Sequence, residues 1–339
     1  MRRRKQTRHV AFAGKPCRRE QRWRAVMQVG FIGLGNVGGK LCGSLLRNGA
    51  SVTVHDLDET KVAEKCAAGA QASADPADIM KTCDVIITCL PSPAASARVL
   101  EEMMPHVTQG KTWLEMSTTD AEEVKRLGAQ VTAAGGSVAD CPVSGGCHRA
   151  DTGNISIYAG CDRATFESVL PLLTRMGRRI LHTGPLGSAS ILKVMTNYLA
   201  TANLLTLCEA LTVMKAAGMD LATTFEAISA SSGTSFVHET ESQLILSGAR
   251  DVNFTMDLVQ KDIGLFQKLA DDHSVPLEIS PLLIEMMHDG QTRFGDRAQS
   301  DRMIERLEDA TGLDIRAPGF PSELIDEEPE EPGYEIVRA

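Results

Sequence analysis

Residues 28–38 read QVGFIGLGNVG, a short apolar run that stops on a glycine and leads into the helical pattern KLCGSLLRNG. No other stretch of the chain constrains its fold as tightly. A GxGxxG sequence is weak on its own; placed between a strand and a helix it has a mechanical meaning. Gly33 makes the tight turn, Gly35 lets a pyrophosphate approach the backbone, and Gly38 lets the helix pack closely on the strand. The phosphate then lies at the helix N-terminus. Leu34, Asn36 and Val37 complete the fingerprint, and all six residues are expected to bind the cofactor.

Eighteen residues after Gly38, the run SVTVHD ends at Asp56. A carboxylate there accepts bonds from the ribose hydroxyls of NAD and repels a 2′-phosphate, so NAD is expected in preference to NADP. The competing explanation for Asp56 is a helix cap or a surface acid ahead of LDETK. LPSP at 90–93, closing a third strand-like run, forms a turn where backbone meets the cofactor.

The runs at 28–33, 51–56, 85–90, 112–117, 137–144, 155–160 and 178–184 are strand-like, and several are separated by helical segments. That alternation predicts βαβ crossovers and a mostly parallel, doubly wound α/β sheet of the Rossmann type. After residue 188 the period changes to 3.6, over 188–217, 219–231, 236–247, 256–273, 279–289 and 297–311. The expected organisation is a cofactor-binding domain over 27–187 and an all-α domain over 188–312, joined by one long helix. Thirty residues of helix span roughly 45 Å. Ile191, Leu192, Val194, Met195, Leu199 and Leu204 leave this helix apolar over most of its circumference, so it belongs in a core or an interface between copies. A homodimer or homotetramer is therefore expected.

The net charge of −9 conceals an asymmetry: residues 1–26 hold eight Arg and two Lys against one acid, which leaves the rest of the chain at −18. An acidic body disfavours nucleic acid as a partner. The basic leader is read as an upstream start ahead of a natural Met27, with organelle targeting as the alternative, since cleavage within the apolar run would destroy the glycine fingerprint. No apolar run reaches about 18 residues uninterrupted, so no membrane partner is expected and the location is taken as cytoplasmic. The segment 313–339 is expected to be an acidic, solvated tail. Nine cysteines without CxxC spacing imply reduced thiols and no metal site, and Cys147 is read as a packing residue.

Lys193 and Asn197, at i and i+4 in the apolar segment SASILKVMTNYLATANLL, stand on one helix face. Burying an ammonium and an amide there is costly unless each has a partner. A desolvated lysine whose pKa is lowered can serve as a general base or acid near neutrality. The alternative is a lysine that snorkels to solvent.

Four stretches, GFIGLGNVG, DCPVSGG, GSASILKVMTNYL and QKDIGLFQKLA, occur in this order and together resemble the β-hydroxyacid dehydrogenase family, the group that includes 3-hydroxyisobutyrate dehydrogenase. The resemblance covers about residues 27–312. It implies a Rossmann domain followed by a helical domain, and an NAD-dependent interconversion of a small β-hydroxy acid and its semialdehyde. It also implies Lys193 as the catalytic acid/base, Asn197 as a substrate ligand, and Ser144, Gly145 and Gly146 as the substrate-carboxylate loop. Ser117 and Thr118 match a pair where substrate and nicotinamide meet, with Ser117 assigned to substrate and Thr118 to cofactor. Lys261, Leu90, Pro91 and Ala95 match further cofactor contacts.

This chain has Val37 where the family often has Met, Thr196 where it often has Asn, and CHRADTGNIS after the loop where small residues are commoner. The last two departures lie near the expected substrate, leaving tartronate semialdehyde, succinic semialdehyde and sulfonated analogues open. Other readings remain for individual residues: Lys261 paired with Asp262 or Asp257, and Ser117–Thr118 as a mere strand end. Thr119 is expected to cap the next helix in a capping box with Glu122. Among the histidines, His182 is the first to inspect. A non-catalytic cofactor sensor or scaffold is the contrasting function, and an imine reductase a third, but related proteins of both kinds are expected to lack the lysine.

Overall fold

Gln28–Ile32 (β1) sits at the centre of a sheet because every residue after Gln28 is buried against a neighbour strand or helix. The computed structural model describes residues 27–337; the basic leader expected over 1–26 lies outside the described residues. Gly33 turns the chain at φ +96°, and Gly38–Arg47 (α1) returns across the sheet. Ser51–His55 (β2) then pairs parallel to β1 in register, Val29 with Val52 and Phe31 with Val54. Glu59–Ala67 (α2), Gln71–Ala72 (β3), Pro76–Thr82 (α3), Val85–Thr88 (β4), Pro93–Met103 (α4), Thr112–Glu115 (β5), Ala121–Ala133 (α5) and Ser137–Asp140 (β6) continue the winding.

The strands lie in the order β3-β2-β1-β4-β5-β6, all parallel. The order reverses beside β1, between β2 and β4, the switch point at whose strand ends such sheets bind ligands.

Pro142, which has no N–H to give a ladder, divides the run at 137–144 into β6 and Val143–Ser144 (β7). Gly146–Asp151 (α6) follows. Ser156–Gly160 (β8) then runs antiparallel to β6 and β7, and Arg163–Leu173 (α7) leads to Arg179–Gly184 (β9), parallel to β8. The apolar faces of β1, β2, β4 and β8 make one core with α1 and α7, including Phe31, Leu41, Val54, Ile87 and Phe166.

From Ser188 the chain is helical: Ser188–Ala216 (α8), Leu221–Ser229 (α9), Phe236–Ser247 (α10), Met256–Asp272 (α11), Ile279–Phe294 (α12), a 3-10 turn at Ser300–Ile304 and Glu305–Thr311 (α13). By length and composition α8 is apolar enough to cross a membrane. Here it is the axis of the helical domain, packed against α10, α11 and the 3-10 turn around Leu204, Leu211, Ile245, Ile263 and Met287.

Two expectations are corrected. Asp120, not Thr119, caps α5: its carboxylate accepts from the N–H groups of Glu122 at 2.8 Å and Glu123 at 3.0 Å. Thr119 is buried one residue too early to do so.

The C-terminal segment is largely exposed, as expected of a solvated tail, but it is not free. Tyr334–Glu335 (β10) adds a parallel strand to β9, whose open edge would otherwise present unpaired backbone groups. The acids that make the segment look disordered are matched by arginines on the Rossmann surface. Glu330 pairs with Arg47 at 3.1 Å, Glu335 with Arg163 at 2.6 Å, and Glu331 with Arg178. Such partly exposed pairs contribute only about 0–1 kcal/mol each, so strand addition and the buried hydrogen bonds at residue 154 do more to hold the segment.

Candidate active site

The glycine turn has the shape that a dinucleotide phosphate needs. A side chain at Gly33 would run into the Cys89 carbonyl, and one at Gly38 into the Gly33 carbonyl, so the β1–α1 junction closes only with glycine. Gly35 faces open space, with no heavy atom near where a Cβ would stand. These residues fit the phosphates of a dinucleotide at the N-terminus of α1. Asp56, just past β2, accepts from the N–H of Leu34 at 2.5 Å and from that of Asp58 at 2.8 Å. Asp58 caps α2, accepting from Thr60, which frees Asp56 from that task and leaves its carboxylate fixed beside the glycine turn.

At the end of β4, Leu90 and Pro91 turn into α4. The hydroxyl of Ser92 caps that helix by accepting from the N–H of Ala95 at 3.2 Å. The Leu90 N–H donates to Ser117 Oγ at 2.7 Å. Ser117 is therefore buried beneath the turn, at 3% exposure, where it orders the Leu90–Pro91 backbone. Glu115 supports it from below, accepting from the Ser117 N–H at 2.8 Å, and burial raises the Glu115 pKa. Thr118, next in the chain, offers its carbonyl to Lys261 Nζ at 2.9 Å.

The long helix begins under an acid that sequence patterns do not reveal. Gly187 precedes α8 with φ +88° and no side chain to cap it. Asp140, at the end of β6, supplies the missing acceptor: its carboxylate takes the N–H of Gly187 at 2.8 Å, the N–H of Ser190 at 2.7 Å and the Ser190 hydroxyl at 3.0 Å. The same residue opens DCPVSGG, so one carboxylate fixes the start of α8 relative to the glycine loop. In that loop Ser144 pairs with Ser156 across β7–β8, and Gly145 and Gly146 follow with φ +130° and +81°. Two successive left-handed residues are a glycine conformation, and a side chain on Gly146 would press into the His148 ring.

One turn into α8, Lys193 is 9% exposed and Asn197 8%. Each has the partner its burial requires. Lys193 Nζ donates to Asn197 Oδ1 at 2.8 Å, and Asn197 Nδ2 donates to Asp262 Oδ2. The other oxygen of Asp262 lies 2.6 Å from Lys261 Nζ, which reaches on to Thr118. A flipped Asn197 amide would set donor against donor at Lys193 and acceptor against acceptor at Asp262, so its orientation is fixed. Burial pulls the Lys193 pKa down to about 8, against the field of the Asp262 carboxylate and with that of Lys261.

From sequence Asp262 was considered only as a partner for Lys261, and its bond to Asn197 was missed. It lay inside the quoted QKDIGL, and its buried place opposite Asn197 on α11 is the only sign of its part. Lys261 does pair with Asp262, while Asp257 is taken by Arg297 at 3.0 Å. Thr196 bonds back to the Lys193 carbonyl at 2.9 Å within its own helix. Ties between the domains include Lys261 to Thr118, Lys268 to Asp120 at 3.2 Å, and Asn36 to Asn253 at 3.4 Å.

Two other candidates are structural. His182 binds the Cys161 carbonyl at 2.8 Å, with its ring against Phe166. Cys147 is buried, and burial raises its thiol pKa.

The geometry thus joins a dinucleotide turn to a buried amine of lowered pKa and a glycine loop. Comparison with known proteins agrees with it. Residues 28–184 match the family described as the NAD-binding domain of 6-phosphogluconate dehydrogenase, and 187–307 match that of the NAD-binding region of NADP-dependent 3-hydroxyisobutyrate dehydrogenase. A 2-(hydroxymethyl)glutarate dehydrogenase of Eubacterium barkeri is 30% identical over 293 residues, spanning 85% of this chain and 97% of the relative. An NAD-dependent L-serine dehydrogenase of Pseudomonas aeruginosa is 32% identical over 253 residues, 72% of this chain and 85% of the relative. The solved structure of a 3-hydroxyisobutyrate dehydrogenase from Salmonella typhimurium superposes with a TM-score of 0.77 at 24% identity, over 83% of this chain and all of that one.

Proposed function

The chain belongs to the β-hydroxyacid dehydrogenase family and is an NAD(P)-dependent hydroxyacid oxidoreductase, and from that premise we propose that Lys193 moves the hydroxyl proton of a small, 3-hydroxyisobutyrate-like β-hydroxy acid as it is interconverted with its semialdehyde. The observation that carries this reading is the buried Lys193–Asn197–Asp262 network. When bound, the nicotinamide accepts or returns the hydride; the protein's part is to hold the substrate and manage one proton.

In oxidation, neutral Lys193 takes the hydroxyl proton and becomes an ammonium; in reduction it gives that proton back to the forming alkoxide oxygen. Asn197 accepts from Lys193 with its oxygen and donates its amide to Asp262, which holds the amine in place. The backbone N–H groups of the Ser144–Gly146 loop anchor the substrate carboxylate, since glycine permits close approach there. Gly33–Gly38 hold the pyrophosphate and Asp56 the ribose hydroxyls, which favours NAD over NADP. Leu90, Pro91, Ala95, Thr118 and Lys261 flank the nicotinamide. A sensor without catalysis would have no use for a buried amine held near neutrality.

We also infer that the exposed apolar flank of α8 and α9, with Leu199, Val213 and Met219 each about half exposed, is covered by a second copy of the chain.

The deciding experiment combines Lys193→Ala with a steady-state screen of short hydroxy acids and semialdehydes, using NAD and NADP in parallel. Loss of about 10²–10⁴-fold in turnover with NADH binding retained is expected. A variant that turns over near the native rate would sink the assignment.

A further inference from the structure

Residues 321–337 lie beyond the matched family region, which ends at 307, and the reaction just described gives them no task. Their contacts follow a single line across the Rossmann domain. At the far end β10 is woven into the sheet, with the Gly333 N–H on the Thr174 carbonyl at 2.9 Å and the Ile336 N–H on the Ile180 carbonyl at 2.7 Å. In the middle, Glu330 accepts from Arg47 at 3.1 Å and from Asn48 at 2.8 Å, while Arg47 also donates to the Asp151 carbonyl at the end of α6.

The near end grips the segment that leaves the glycine loop. Asp326 Oδ2 accepts from the Thr152 hydroxyl and from Asn154 Nδ2 at 2.9 Å. The same amide donates to the Glu328 carbonyl at 2.8 Å. The Glu328 carboxylate lies 3.8 Å from the Arg149 guanidinium. Asn154 is 3% exposed, so this amide is shut away from water with the strap as its main acceptor.

Gly146 opens α6, and only the five residues 147–151 separate it from Thr152. Two adjacent left-handed glycines have little intrinsic preference for one conformation, and such a turn keeps its shape only if its flanks are fixed. β7 fixes the upstream flank at Ser144. Downstream, Asp326, Glu328 and Glu330 add to the packing of α6 on α1, where the Ser44 hydroxyl donates to the Ala150 carbonyl at 3.4 Å.

We propose that the C-terminal strap is a positioning element for the substrate loop, holding α6 so that Gly145 and Gly146 present their N–H groups to the substrate carboxylate, with Asp326 as its principal positioning residue. This rests on the reading of Ser144–Gly146 as the carboxylate anchor.

The test uses the full chain with Asp326→Ala, and Asp326→Asn as the conservative variant that keeps an acceptor oxygen. Two quantities are measured: hydrogen–deuterium exchange over residues 145–155, and the KM and kcat for the best hydroxy acid alongside the Kd for NADH. Asp326→Ala is expected to speed exchange in that peptide and raise KM about tenfold, with kcat and NADH affinity within about twofold, because a displaced anchor costs substrate alignment. Asp326→Asn should recover most of both changes. Native exchange in Asp326→Ala overturns the inference, and so does faster exchange with an unchanged KM, which would make the strap merely structural. Should the native enzyme turn over no hydroxy acid at all, the functional reading falls, and exchange over 145–155 still decides whether the strap orders the loop.

Discussion

Lys193 concentrates the chemistry of this protein in one titration. Burial removes water from the ammonium and lowers its pKa to about 8, while Asp262 opposes that shift through Asn197. The sign of the pH dependence follows. Oxidation needs the neutral amine, so its kcat/KM should rise as pH passes through about 8; semialdehyde reduction needs the ammonium and should fall over the same range. Asp262→Asn removes a carboxylate that favours the charged form, so the midpoint of both profiles should move below that of the native enzyme. Profiles of kcat/KM against pH for the two directions check this; an unmoved midpoint would mean that the Asp262 field does not reach the amine. The pair at 193 and 197 was legible in sequence because helical spacing places i and i+4 side by side. Asp262 was not, because its contact with Asn197 spans 65 residues and no local period encodes it. The bond from the Leu90 N–H to Ser117 was hidden for a related reason: the two residues lie 27 apart in sequence.

At the scale of elements, the decisive joint is the start of α8. A helix whose first N–H groups are buried needs an acceptor, and Gly187 offers none; Asp140 reaches across from β6 to provide it. Asp140→Ala should cost about 1–2 kcal/mol, the usual loss of a cap, and should lower kcat as well, because Lys193 lies in the first turns of the same helix. Chemical denaturation and steady-state kinetics on one preparation read both effects; a stable variant with native kcat would show that α8 is held elsewhere. The long elements were visible in the sequence because their periods are sustained. β3 and β10, two residues each, were not, since such strands exist only through the partner that pairs with them. The cap of α5 was displaced by one residue from Thr119 to Asp120, a choice between neighbouring acceptors that only the local backbone resolves.

For the whole molecule, the change of period at residue 188 foretold the division into a sheet domain and a helical domain, and α8 joins them as expected. What the sequence hid was the return of the chain to its first domain, because complementary charges far apart in sequence look like mere solvated acids. The flank of α8 and α9 that remains open predicts self-association, around a groove of roughly 620 Å³ lined by Val213, Met214, Met219 and Ile228. Analytical ultracentrifugation should give a dimer or a tetramer, and Val213→Glu should shift it toward the monomer by placing a charge on an apolar contact. A native chain that sediments as a monomer at micromolar concentration would refute this.

The strand supplied by residues 334 and 335 also sets an order of events during synthesis. The Rossmann half emerges first from the ribosome and can collapse early, as N-terminal domains generally do. Its sheet is nevertheless unfinished until nearly every residue described has been translated, because the last strand of the first domain is made last. Through that interval β9 stands as a bare edge, available to any other extended chain, and the arrival of β10 is what retires the hazard.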